Sequence, residues 1–230
     1  MLDHILVVAF AIGFPLISGP VYARRRPALL AGDERIRRRE YVETILWLSS
    51  MGALSIAVWL ISGRDLPLLG LGFDPSWQQI ASLTVVLLLS GLLFFQVRGV
   101  LHDSAMREVA RKTLDSVREY MPRTSREARL FRGVSISAGL GEEIFYRGFL
   151  LWYLGQVMSL PWAILVSSAL FGLAHIMHGS RATVRSSIMG LVLAGLYVFS
   201  GSLWASMILH TAVDLANGEV GAAAFAPQSR

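Results

Sequence analysis

Apolar stretches of roughly 20 residues recur along this chain, at residues 2–22, 41–62, 79–96, 131–153 and 158–178, and roughly 20 residues of helix is what one bilayer crossing needs. Two shorter runs follow, 186–200 and 203–217, which suit a thinned or protein-lined region better than full bilayer. Backbone in hydrocarbon must satisfy its own hydrogen bonds, so such runs predict helices and exclude an open sheet. The expected fold class is all-α, a multipass transmembrane helical bundle with about seven spans. Composition agrees. Hydrophobic residues make up 54% of the chain, charged residues only 16%, and the mean hydropathy is +0.54, which is not the profile of a soluble domain with a polar surface.

The net charge of +5 points to a membrane surface rather than to nucleic acid, because the basic residues sit between the apolar runs. Cysteine is absent, which removes disulfides, thiolate metal sites and a cysteine nucleophile together. The N-terminal flank carries Asp3 instead of a basic cluster, so the first run reads as an uncleaved span and not as a secretory signal. Arg24 to Arg26, Arg35 and Arg37 to Arg39 fill one loop, further basic residues run from Arg98 to Arg132, and Arg181 and Arg185 mark a third. The loop around "GRDLPLLGLGFDPSW" has Arg64 alone, balanced by acids. The positive-inside rule therefore places the basic loops in the cytoplasm and the N-terminus outside, in the cell (inner) membrane.

Within residues 101–121, Leu101, Met106, Val109, Ala110, Leu114, Val117 and Met121 fall near one helical face, and Pro122 follows as a stop. That pattern fits an amphipathic helix on the cytoplasmic surface, or equally a solvated connector between spans. Three parts are expected: N-terminal helices and loops over 1–130, a polar-bearing core over 131–217 and a C-terminal tail over 218–230. No internal repeat is visible.

The string "GLGEEIFYRGFLL" places Glu142, Glu143 and Arg147 inside an apolar run, where each charge costs about 3 kcal/mol at the centre of a span. At 100° per residue Glu143 and Arg147 share a face, whereas Glu142 lies about 140° round the helix from Arg147. Arg147 is thus positioned to neutralise Glu143, and Glu142 is left free to handle a proton. The bland reading is a buried ion pair that fixes helix packing. Two further runs carry polar residues. His175 follows Phe171 by one turn in "ALFGLAHIMHG", with His178 read as interfacial, and His210 and Asp214 lie one turn apart in "SMILHTAVDLANG". Separate spans bearing ionisable groups are least costly when they turn toward one polar cavity. Gly133, Ser135, Ser137, Ala138, Gly139 and Gly141 would let neighbouring helices come close to it.

Glu142, Glu143 and Arg147 as EExxxR, Phe171 and His175 as FxxxH, and His210 and Asp214 as HxxxN/D together resemble the CPBP (Abi) family of intramembrane proteases. That family is also described as CAAX prenyl protease 2/lysostaphin resistance protein A-like. The match covers about residues 130–217, and "EEIFYRGFL" is close to the family's most characteristic string. The resemblance implies a membrane endopeptidase in which Glu142 and His175 activate a water while His210 and Asp214 orient or stabilise the oxyanion. Glu143, Arg147 and Phe171 would support that site. Asp214 has a donor problem, since an ionised aspartate only accepts hydrogen bonds; it would instead hold His210 in its donating tautomer.

The resemblance favours a glutamate-dependent mechanism with no cofactor required. The zincin string HExxH is absent, and zinc is not favoured. Expected partners are a peptide or membrane-associated protein substrate and the lipid itself, with no nucleic acid. The alternative function is a non-catalytic membrane scaffold or bacteriocin-immunity-type protein that uses the same buried network to hold its helices. A proton-coupled transporter fits less well without an inverted repeat.

Overall fold

The computed structural model describes residues 1–226, and among them every regular element is helical. Helix α1 covers Leu2–Leu30, α2 Glu34–Ile61, α3 Trp77–His102 and α4 Ser104–Thr113. Helix α5 covers 125–155, α6 Leu160–Leu173, α7 Ser180–Ser200 and α8 Leu203–Phe225. The all-α class expected from the apolar runs is observed.

Local chemistry sets the boundaries. Gly32 takes φ 87° after α1, a conformation that costs glycine little. The Asp33 carboxylate then accepts from the backbone N–H groups of Arg35 and Ile36, opening α2. Asp103 is extended (φ −112°, ψ 120°), and its side chain accepts from the N–H groups of Ala105 and Met106. This capping ends α3 and begins α4, because the carboxylate competes for donors that a continuous helix would engage. The amphipathic run expected over 101–121 is therefore divided. Leu101 lies in the last turn of α3, α4 stops at Thr113, Val117 lies in the tight turn Asp115–Val117, and Met121 is buried.

Helix α5 starts earlier than expected, at a capping box in which Thr124 and Glu127 satisfy each other's backbone donors. The run 186–200 belongs to a longer helix that begins at Ser180. The last helix continues past the expected end at residue 217 to Phe225, so the first part of the tail is helical, and 227–230 lie outside the described residues. By length and hydropathy α1, α2, α3 and α7 qualify as membrane spans, four where about seven were expected. Helix α6 is apolar but shorter, while α5 and α8 hold the ionisable residues of the core.

Helix α5 packs against both α2 and α8, α8 also lies along α3, and α6 pairs with α7. Two glycines permit the closest approaches. A methyl group on Gly141 would strike the Leu48 carbonyl of α2, and one on Gly139 would strike Thr211 of α8. Trp59, Phe145, Phe149 and Leu150 form the centre of the core and are fully buried. The outer face of α3 is the reverse: Leu88 and Phe95 are each 70% exposed, as suits a surface facing lipid.

The two ends of the bundle differ in chemistry. At one, Arg64 forms a two-point pair with Asp3 and stacks over Trp152, and the Leu203 N–H donates to the Gly70 carbonyl. At the other, basic end, Arg25 pairs with Glu40 and Glu43, Arg37 with Glu127, and Arg132 with Glu219.

Candidate active site

The polar residues singled out in the apolar runs converge. Glu142 and Glu143 close the first α-helical part of α5, and the next segment, Ile144–Leu150, is π-helical, with every residue from Gly141 to Leu151 buried. A wide turn holds more residues per revolution than an α-turn, and such turns recur at functional sites. Arg147 still reaches back to Glu143, its Nη1 donating to Oε1 over 2.8 Å.

Glu143 Oε1 accepts a second bond, from Nδ1 of His210 on α8, also 2.8 Å long. Arg147 Nη2 donates to the Gly190 carbonyl of α7 at 3.3 Å, and its guanidinium lies 4.2 Å from the centre of the Phe171 ring on α6. One arginine thus ties α5, α6 and α7 together, while its glutamate partner ties in α8. Glu143 is 0% and Arg147 1% exposed, so both charges depend on these contacts.

Glu142 points elsewhere. Its Oε2 lies 3.6 Å from His210 Nε2 and has no hydrogen-bond partner among the described residues. His210 Nε2 is also 3.8 Å from Asp214 Oδ2, too far for a hydrogen bond. The imidazole therefore spends Nδ1 on Glu143 and presents Nε2 between two carboxylates. The expected bond from Asp214 to His210 does not form, because Glu143 from the neighbouring helix takes the tautomer-setting position instead.

His175 lies just beyond α6, which ends at Leu173 where a continuous run to 178 was expected. Its Nδ1 is 2.9 Å from the Phe171 carbonyl oxygen. A carbonyl only accepts, so Nδ1 carries the proton and caps an otherwise orphaned helix carbonyl, and in the neutral ring Nε2 keeps the lone pair. The Phe171 ring sits 5.0 Å from the His175 ring and 5.8 Å from the His210 ring, centre to centre. The two imidazoles are arranged around one phenyl group, and Glu142 and Asp214 are both within Coulombic reach of His175.

His175 and Asp214 are the half-exposed members, the Asp214 side chain at 34%. Access to the cluster therefore comes from their side. Tyr120 stands there, its hydroxyl 3.1 Å from Thr44 Oγ1 and within Coulombic reach of Glu142 and Asp214. Nothing in the sequence marked it, since it falls in a stretch patterned like a surface helix. His178 is wedged against Tyr22 and Tyr120, at 5.2 and 5.7 Å. Burial there, with His175 nearby, pushes its pKa down to about 4. Among the described residues no group of three or more His, Asp or Glu side chains has the arrangement of a metal site.

An all-helical membrane protein with a buried Glu-Glu-Arg-His network and a second histidine at its margin is the class that fold and site define. Residues 125–216 match the family model described as type II CAAX prenyl endopeptidase Rce1-like. That match agrees with the CPBP resemblance, and the matched segment contains Glu142, Glu143, Arg147, Phe171, His175, His210 and Asp214. No curated protein and no solved structure matches the chain.

Proposed function

We propose that the chain is an intramembrane endopeptidase that hydrolyses a peptide bond with a water activated by Glu142 and His175. The observation that supports this most is Glu142 Oε2, a nearly buried carboxylate oxygen without a hydrogen-bond partner among the described residues, beside two imidazoles held in defined orientations. Glu142 takes one proton from the water as its oxygen bonds to the scissile carbonyl carbon, and His175 Nε2 accepts the other water hydrogen as a hydrogen bond. His210, as imidazolium, donates from Nε2 to the developing oxyanion while Glu143 holds Nδ1. The proton on Glu142 then passes to the amide nitrogen, the C–N bond breaks, and a carboxylic acid and an amine form; the acid's proton passes to the amine or to water as the products leave. Asp214, at the half-exposed margin, steadies the loaded His210 rather than donating itself. No metal enters this scheme. His210 supplies the positive charge and the donor while Arg147 offsets Glu143, and a peptide or membrane-associated protein is the substrate class.

The test starts from cells carrying wild-type protein or Glu142→Gln, compared by proteomics for a membrane-associated peptide whose processing changes. The purified protein is then assayed on a peptide spanning that cleavage site, with and without a chelator. Loss of a general base predicts a rate lower by about 10²–10⁴-fold for Glu142→Gln, a similar loss for His175→Ala, little change in thermal stability, and no effect of the chelator. Cleavage by Glu142→Gln at the wild-type rate sinks the proposal. A parallel loss of stability and phenotype in both variants would instead support a scaffold.

A further inference from the structure

At the basic end, α2 and α5 part to leave a cleft of about 720 Å³ lined by Arg38, Arg39, Val42 and Glu43 of α2 and by Arg126, Arg129 and Leu130 of α5. The positions follow helical spacing: 38, 39 and 42 fall on one face of α2, and 126, 129 and 130 on the facing side of α5. Glu43 is already engaged by Arg25 and Arg39. Arg38 has only a loose 3.7 Å contact with Glu34. Arg126 and Arg129 are exposed, and among the described residues neither has a carboxylate within ion-pair distance. The cleft therefore carries a surplus of guanidinium groups converging from two helices, in contrast to Arg37, which is buried and paired with Glu127.

Below the arginines the same seam turns apolar. Val42 is 44% and Leu46 62% exposed on α2, and Ile136 and Leu140 are 47% and 43% exposed on α5. Gly133 of α5 lies against Ile45 of α2. A planar guanidinium pair above a lipid-facing apolar strip has the polarity order of a phospholipid, with phosphate at the bundle end and acyl chain along the span. We propose that this cleft binds one anionic phospholipid, its phosphate held by Arg126, Arg129 and Arg38 and an acyl chain lying along Val42, Leu46 and Ile136. The site is separate from the buried network, although α5 carries both. The inference needs only the membrane-embedded fold and does not depend on the protease reading.

The full chain in neutral detergent, examined by native mass spectrometry with phosphatidylglycerol and with phosphatidylcholine, tests the proposal. Wild type should retain phosphatidylglycerol in preference. Arg126→Gln with Arg129→Gln should weaken that retention roughly 30-fold, on the usual contribution of an arginine near an anionic lipid. Arg38→Gln on the facing helix, a second variant in case the first folds poorly, should weaken it in the same direction. Arg107→Gln with Arg111→Gln, on α4, should leave it unchanged. Equal retention by all variants would overturn the site, and so would an equal loss in the α4 variant, which would mean diffuse charge attraction. Displacement by free glycerol phosphate at the lipid's own concentration would show an anion site without lipid specificity and would overturn the assignment as well.

Discussion

Glu143 accepts from Arg147 and from His210 through one oxygen, in a position with no solvent exposure. Breaking such a pair leaves an uncompensated buried charge, which typically costs about 3–5 kcal/mol. Arg147→Met should therefore lower thermal stability in detergent by an amount of that order, much more than Glu142→Gln, and circular dichroism melts of the two variants check the difference. His178 offers a test by pH. It is neutral in the fold down to about pH 4, while its ordinary value is 6.5, so in acid the unfolded chain gains a proton that the folded chain refuses. Stability should fall as pH drops from about 6.5 toward 4, and His178→Phe should lose part of that slope. The i, i+4 pair of Glu143 and Arg147 was legible in the string EEIFYR, since both partners sit on one helix. The Glu143–His210 bond was not, because the partner arrives from another helix and no spacing rule relates them.

Helix α5 does most of the positioning. Its π-helical stretch follows immediately after the glutamates, and its glycines bring α2 and α8 against it. Gly141→Ala should force α2 away at Leu48, costing roughly 1–3 kcal/mol as overpacking usually does, and should displace the adjacent Glu142. Differential scanning fluorimetry combined with the peptide assay would register both effects; an unchanged melting temperature would contradict the close approach. The small residues near the glutamates predicted tight packing correctly. The wide turn was not foreseen, because an i+5 hydrogen-bond register leaves no periodic trace in a segment that is apolar throughout. The division at Asp103 escaped the period-based reading for a related reason: amphipathic spacing continues across a cap even when the backbone does not.

Charge is distributed unevenly between the two ends of the bundle, and the positive-inside rule turns that into a predicted topology. With the basic end in the cytoplasm, Asp115 lies inside and Asp74 outside. The chain contains no cysteine, so Asp115→Cys and Asp74→Cys each introduce a single thiol. In intact cells a membrane-impermeant maleimide should label Asp74→Cys directly and Asp115→Cys only after permeabilisation; the opposite pattern would invert the assigned orientation. Length and hydropathy mark four spans, whereas the apolar runs had indicated about seven. The difference arises because α5 and α8 combine apolar length with ionisable groups turned inward, and α6 ends early at the His175 cap.

Residue identity and spacing were enough for the all-helical membrane class, for the set of ionisable residues that converge and for the free state of Glu142, because burial cost and helical period act locally along the chain. Which nitrogen of each histidine faces the cluster, which carboxylate holds His210 and which side of the cluster is exposed depended on how separate helices meet. Those contacts arise between groups far apart in sequence, and packing alone brings them within hydrogen-bond range.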